Sequence, residues 1–282
     1  MCRLFGFRSI IKSQVHSSLV TGNDSFMTCS RDHPDGWGLA YYMEGVPHLI
    51  KSDSKALNDE LFTRVTGQLA SATVVAHLRK ATLGANDLVN THPFQFGPWI
   101  FAHNGNIKSF SQHEERLVSL IDSEVLRVRM GRTDSEVIFL IFMTYLQKAH
   151  LLNAPEGSMG RIIDVIKQAL SDMIAITGPF NLIDGPPEET YFTFLLTQGD
   201  NMIAFQGGKP LFVSTYKSLC SERDFCPSYG PSCEAPTKTG AVNHLVVSSQ
   251  KLPGANIWQE MEAGEIVAVD ETMTLHRFSI LS

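Results

Sequence analysis

Cys2 follows the initiator methionine directly, so loss of Met1 would place a thiol and an α-amino group on one residue. A free thiol titrates near ~8.5 and an α-amino group near ~7.7–8.0, so the amine can take the thiol proton, directly or through a water, and later return it to a leaving amine. Nucleophile and base then reside on one residue, with no histidine partner. The other reading of Cys2 is a small apolar residue buried at the start of a strand.

Acyl transfer through a thioester also needs an oxyanion hole and a substrate clamp. In "FAHNGNI" an apolar run ends at Asn104-Gly105, where a side-chain amide and an unhindered backbone N–H can aim at one point; Asn-Gly is equally the signature of a plain turn. "AHLRKAT" ends a second apolar run at Arg79, whose planar fork matches a carboxylate, either the substrate's or one of the chain's own. In "GRTDSEV", Thr133 and Glu136 have capping-box spacing. Beyond pure capping, this leaves the Asp134 carboxylate for a substrate ammonium. Arg79 and Asp134 together would recognise the α-amino-acid end of glutamine or of a γ-glutamyl compound. "HPDGWGLAYY" offers Gly36, Trp37 and Gly38 as a glycine-hinged flap with an aromatic lid, or as an ordinary turn into a strand. His77, His92 and His103 read as hydrogen-bonded structural histidines. The spacing of Cys220, Cys226 and Cys233 does not match a zinc site, and neither HExxH nor CxxC occurs, so no metal is expected.

The elements that must position these residues are legible as short runs. "LFGFRSII" predicts a first strand, "DGWGLAYYMEGVPHLIKS" a hairpin turning at Glu44-Gly45, and "ATVVAHLR" and "WIFAHNG" strands buried on both faces. "TDSEVIFLIFMTYLQKA" is apolar nearly all round, as a buried helix is, whereas "GRIIDVIKQALSDMIAI" has the spacing of a one-faced helix. "TYFTFLLT", "MIAFQ", "HLVVSS", "GEIVAVD" and "TLHRFSI" supply later strands. Strands at both ends with helices between them predict two sheets and a helical layer, an α+β arrangement and not an alternating one.

With 43% hydrophobic and 18% charged residues in 282, the chain can bury a large core, and no linker divides it, so a single domain over 1–282 is expected. The polar, Pro/Ser/Gly-rich stretch at about 220–240 reads as an exposed insertion loop. A formal charge of −6 gives nucleic acid or an anionic membrane nothing to bind, leaving a small molecule or another protein as partner. Five cysteines, an odd number, do not make a secreted disulfide framework. With no signal peptide and no spanning run in the sequence, a cytoplasmic location is expected.

Together, "MCRLFG", "DGWGLAYY", "AHLRKAT", "NTHPF", "FAHNG" and "RTDSE", in this order, resemble the class II glutamine amidotransferase domain, a member of the N-terminal-nucleophile hydrolases. The similarity is greatest to small stand-alone members beginning Met-Cys-Arg-Leu, which include γ-glutamyl hydrolases of ergothioneine synthesis and glutathione breakdown. The resemblance implies a four-layer αββα sandwich. It also implies Cys2 as nucleophile, Asn104 and Gly105 as oxyanion hole, Arg79 and Thr82 on the substrate α-carboxylate, and Asp134 on its α-ammonium. The ammonia-channelling synthases carry Arg-Trp-Ala-Thr where this chain has Arg79-Lys80-Ala81-Thr82, and none of the 282 residues reads as an acceptor-substrate domain, so ammonia transfer within the chain is not expected.

The expected function is cysteine-dependent hydrolysis of the γ-amide of glutamine or of a γ-glutamyl conjugate, without a cofactor. Two alternatives stand beside it: a glutaminase subunit delivering ammonia to a separate synthase, and a non-catalytic amino-acid-binding relative. A synthase or peptidase is the protein partner these readings admit.

Overall fold

The computed structural model describes residues 2–20, 24–81, 87–221, 223–237 and 240–281. Its strands are β1 (Arg3–Gln14), β2 (Trp37–Met43), β3 (Val46–Ser52), β4 (Ala70–Leu78), β5 (Phe94–Phe96), β6 (Trp99–Asn106), β7 (Tyr191–Gln198), β8 (Asn201–Phe205), β9 (Phe212–Ser214), β10 (Gly240–Ala241), β11 (His244–Ser248), β12 (Gln259–Glu260), β13 (Glu265–Val269) and β14 (Thr274–Ser279). The helices are α1 (His16–Leu19), α2 (Glu60–Gln68), α3 (Phe110–Val118), α4 (Ser123–Leu126), α5 (Asp134–Lys148) and α6 (Met159–Thr177). One antiparallel sheet has the order β12-β9-β11-β1-β4-β2-β3, the other β10-β14-β13-β8-β7-β6-β5. The predicted strands and both long helices fall within these elements. The β2–β3 turn is made by Glu44 and Gly45, both at positive φ (50° and 76°), the geometry a right-twisted two-residue hairpin demands.

Side-chain alternation along the strands sorts the core into three layers. Leu4, Val75, Ile100, Ala102 and Leu195 point between the sheets. Phe5, Val74 and Ala76 face outward onto a cluster with Trp37, Leu19 and Phe62, under α1 and α2. Phe101, Phe192 and Phe194 face the opposite way, onto α5 and α6. Helices therefore cover both outer faces, giving α, β, β, α. Small residues let the sheets approach: a Cβ on Gly6 would lie 3.0 Å from the Leu195 side chain. The α5 layer is the more aromatic, with Phe101 stacked on Phe139 at 5.3 Å and edge-on to Phe142 at 5.9 Å.

Within the 220–240 stretch, between β9 and β11, the described residues 220–221 and 223–237 fold back on themselves. The Lys217 N–H donates to Cys233 O (2.8 Å) and the Cys220 N–H to the Glu234 carboxylate (2.7 Å), while Phe225 is 90% exposed. No helix among the described residues is long and apolar enough to cross a membrane.

Candidate active site

Strand register builds the site. Arg3 pairs with Leu78 across β1 and β4, which sets Cys2 beside the end of β4. There the Cys2 Sγ accepts the Lys80 backbone N–H at 3.4 Å and lies 3.5 Å from the Lys80 carbonyl. Trp37 also pairs with Leu78, bringing the Asp35-Gly36 turn alongside. The Arg79 N–H donates to Gly36 O (2.8 Å), the Asp35 N–H to Arg79 O (3.2 Å) and the Ala81 N–H to Asp35 Oδ2 (2.8 Å). The backbone under the thiol is thus fixed on both sides.

A narrow cavity of about 20 Å³ opens at this point, lined by Cys2, Arg79, Gly105 and Asp134 together with Asn90, His92, His103, Thr133 and Ser135. Arg79 and Asp134 are buried, at 3% and 2% exposure, so the walls carry one enclosed cation and one enclosed anion. Asn104 precedes Gly105 on β6 and is equally buried. Its Oδ1 has no hydrogen-bond partner among the described residues, and Asn104 itself is not among the residues that line the cavity. Gly105 admits no side chain: a Cβ would lie 2.1 Å from Tyr191 O and 2.2 Å from His103 Nε2. Thr82 lies outside the described residues.

The start of α5 follows the sequence reading in part. Thr133 caps it, Oγ1 accepting the Glu136 N–H at 3.2 Å. The Glu136 carboxylate does not close a capping box; it accepts the N–H groups of Met130 (2.8 Å) and Gly131 (2.7 Å) and so ties down the loop before the helix. Nor is Asp134 uncommitted: it accepts the Ile107 N–H (2.7 Å) and the Ser135 N–H (2.8 Å), which fix its plane while each oxygen keeps acceptor capacity.

The lid expectation for Gly36, Trp37 and Gly38 is not met. Trp37 is fully buried, edge-on to Phe62 at 5.0 Å, with its indole N–H donating to Asp59 Oδ2 at 2.9 Å. Strand alternation sends this ring into the sheet–helix core and away from the cavity. Gly38 is required because His92 passes over β2, and a Cβ would lie 2.0 Å from its carbonyl. That crossing delivers His92 and Asn90 to the site, a long-range consequence that no local spacing in "NTHPF" signals.

Three buried imidazoles gather behind the cavity. His103 Nε2 meets Tyr191 O at 3.0 Å and its Nδ1 meets Ser135 Oγ at 2.9 Å; His77 Nε2 meets His103 O at 3.3 Å, and its ring lies 4.3 Å from that of His92. Burial lowers the pKa of all three, so they are neutral at pH 7. Burial also pushes the Cys2 thiol up, against the opposing pull of the Lys80 hydrogen bond and the Arg79 charge. Cys220, Cys226 and Cys233 lie elsewhere, lining a separate cavity with His244. No group of three or more His, Cys, Asp or Glu side chains among the described residues is placed to hold a metal.

Residues 1–279 match the family model for "Glutamine amidotransferases class-II". A Saccharomyces cerevisiae protein named "Probable glutamine amidotransferase" is 28% identical over 225 residues, covering 72% of this chain and 62% of that protein, so the chain spans less than two thirds of it. A "Gamma-glutamyl-hercynylcysteine sulfoxide hydrolase" of Mycobacterium tuberculosis is 36% identical over 72 residues, 25% of this chain and 31% of that one. The solved structure of a glutamine aminotransferase class-II domain protein from Silicibacter pomeroyi superposes with a TM-score of 0.61 at 16% identity, covering 99% of both chains, which shows a shared fold. The chain belongs to the class II glutamine amidotransferases.

Proposed function

We propose that this amidohydrolase cleaves the γ-amide of glutamine or of a γ-glutamyl conjugate through a γ-glutamyl thioester on Cys2. The observation that carries the reading is one cavity in which the Cys2 thiol sits on the Lys80 backbone between a buried Arg79 and a buried Asp134. These two charges match the carboxylate and ammonium of an α-amino acid, which positions the side-chain amide for attack. The yeast and mycobacterial relatives, named for glutamine and γ-glutamyl chemistry, support the same substrate class.

In this scheme Cys2 is the terminal residue, the state reached when Met1 is removed. Its α-amine takes the thiol proton as sulfur attacks the γ-carbonyl. The oxyanion rests on the Asn104 amide and the Gly105 N–H, and the C–N bond breaks as the amine returns the proton to the leaving nitrogen. Water then cleaves the thioester, releasing glutamate and restoring the thiol. His103 is poorly suited to act as base, because both ring nitrogens are engaged and burial lowers its pKa. No cofactor enters any step.

The test is glutamate release from glutamine, glutathione and a panel of γ-glutamyl amides by protein shown by intact mass to lack Met1. Release that Cys2→Ala abolishes is expected. No release by the processed wild type from any of them would sink the proposal.

A further inference from the structure

Three thiols open onto a hollow that the reaction at Cys2 does not use. A cavity of about 170 Å³ is walled by β1 from Phe7 to Gln14, by the start of β11 and by the segment that carries Cys220, Cys226 and Cys233. Cavities of this size hold a group of about six heavy atoms, as benzene does in an engineered one. The three thiols are free, but they are not equivalent. Cys233 is 8% exposed, and its Sγ accepts from the Asn243 amide at 2.8 Å. Cys220 is partly exposed, but its N–H holds the Glu234 carboxylate at 2.7 Å, which puts a negative charge at that residue. Cys226 is partly exposed, and its thiol has no hydrogen-bond partner among the described residues. It is the one thiol of the three that is both reachable and clear of an acid.

The charge of the cavity selects what can enter. Among the described residues that line it, Lys217 is the only charged one, and it forms no ion pair with any of them. Its backbone is held, with the N–H donating to Cys233 O at 2.8 Å and a bridge to Asn256 on the other side. Its ammonium is felt at His244, where it adds to burial in lowering the imidazole pKa to about 4. His244 is therefore neutral at pH 7 and brings no second charge. An ammonium without a carboxylate partner, beside a free thiol and an empty volume, suits a small group that carries both sulfur and a carboxylate.

We propose that Cys226 is a thiol–disulfide exchange site for small disulfides bearing a carboxylate, one half of which lodges in this cavity with its carboxylate on Lys217. The Cys226 thiolate attacks one sulfur, the S–S bond of the small disulfide breaks, and the other half leaves as a thiol carrying the proton that Cys226 gave up. Cys226 is oxidised to a mixed disulfide and the departing half is reduced. This site stands apart from the reaction assigned to Cys2 and does not rest on it. The test exposes the full chain to dithiodipropionate, an anion, or to cystamine, a cation, and follows each cysteine separately by peptide mass spectrometry without reduction. Rates are divided by those of N-acetylcysteinamide with the same probe. At Cys226 the normalised rate for the anion should exceed that for the cation by about tenfold, one partly exposed charge attracting the first probe and repelling the second. This preference runs against the overall charge of −6. Lys217→Gln should bring the ratio to about 1 or below, Lys217→Arg should keep it, and added salt should shrink it. Cys226→Ser should remove the mixed disulfide from the segment, and Cys220→Ser should leave it. A wild-type ratio of 1 or less, or one that Lys217→Gln leaves unchanged, would overturn the anion site. Capture at Cys220 or Cys233 in place of Cys226, or an internal disulfide as the end product, would overturn the assignment to Cys226.

Discussion

β1 runs between two cavities that contain the same reactive residue types. Cys2, at its start, shares a cavity with His92 and His103. Its later residues, from Phe7 to Gln14, wall a cavity of about 170 Å³ where Cys220, Cys226, Cys233 and His244 gather. Thiols and imidazoles therefore do not distinguish a reaction site. The Cys2 cavity is assembled from the ends of strands in both sheets and the first turn of α5, and it encloses a cation and an anion. The other draws its thiols from one surface segment, and among the described residues its only charged lining residue is Lys217. The thiols there are free, and Cys233 Sγ only accepts from the Asn243 amide at 2.8 Å. Acyl transfer needs fixed donors and a substrate clamp around the nucleophile, and among the described residues the enclosed Arg79 and Asp134 that the proposed clamp requires line the first cavity and not the second.

The largest effect should come from the sulfur itself. Cys2→Ala is expected to reduce glutamate release by at least ~10³-fold, whereas Cys220→Ser, Cys226→Ser and Cys233→Ser combined should stay within about twofold of wild type. Loss of activity in the triple variant with normal folding by circular dichroism would erase the distinction. Next comes the clamp. In Asp134→Asn the amide has a single acceptor oxygen for the Ile107 and Ser135 N–H groups and no charge for an ammonium. KM for glutamine should rise about 10–100-fold, with a smaller change in kcat. An unchanged KM would remove Asp134 from substrate binding.

The same contrast explains what could be read from the sequence. Arg79 and Asn104-Gly105 stand out because each ends an apolar run, and a strand buried on both faces delivers its last residues to an edge of the core. The hairpin turn at Glu44-Gly45 is fixed by its own backbone, so a dipeptide suffices to see it. Pairing is another matter. That Arg3 opposes Leu78, and thereby sets Cys2 against Lys80, depends on a register between segments about 75 residues apart. The misread lid has the same origin: Trp37 is followed by a glycine, but the tertiary packing of β2 against α2 decides where the ring goes. Glu136 shows a local rule overridden, because the loop closes so tightly that a Cβ on Gly131 would lie 2.5 Å from Asn90 Oδ1, and its N–H groups claim the carboxylate.

A third prediction concerns the state of the thiol. Burial raises the Cys2 pKa, with the Lys80 hydrogen bond and the Arg79 charge opposing it, so the thiolate is scarce near neutrality in the absence of substrate. The rate of alkylation of Cys2 by iodoacetamide, followed by mass spectrometry, should climb with pH to a midpoint above ~8.5, the ordinary thiol value. A midpoint below that value would show that the Lys80 and Arg79 contributions outweigh burial. It would also shift weight from attack concerted with proton transfer towards a thiolate formed in advance.

The effect that leaves activity untouched belongs to the other end of β1. His244 is 8% exposed and its Nε2 has no hydrogen-bond partner among the described residues; burial, with a lesser contribution from Lys217, lowers its pKa to about 4. In the unfolded chain the imidazole titrates near ~6.5. Above that value it is neutral in both states and contributes no pH dependence. As pH falls through 6.5 the unfolded chain binds a proton that the folded one refuses, so stability declines until the folded imidazole itself protonates near pH 4. The full loss from this residue is about 3 kcal/mol. His77, His92 and His103 act in the same direction from the catalytic end, so the wild-type slope alone cannot assign the effect. His244→Gln should remove only its own share, making the fall in urea-unfolding free energy between pH 7 and pH 4.5 smaller than in the wild type. An identical fall in both proteins would mean that the acid sensitivity resides in the three imidazoles beside Cys2, and that the cysteine-lined cavity admits a protonated His244 without cost.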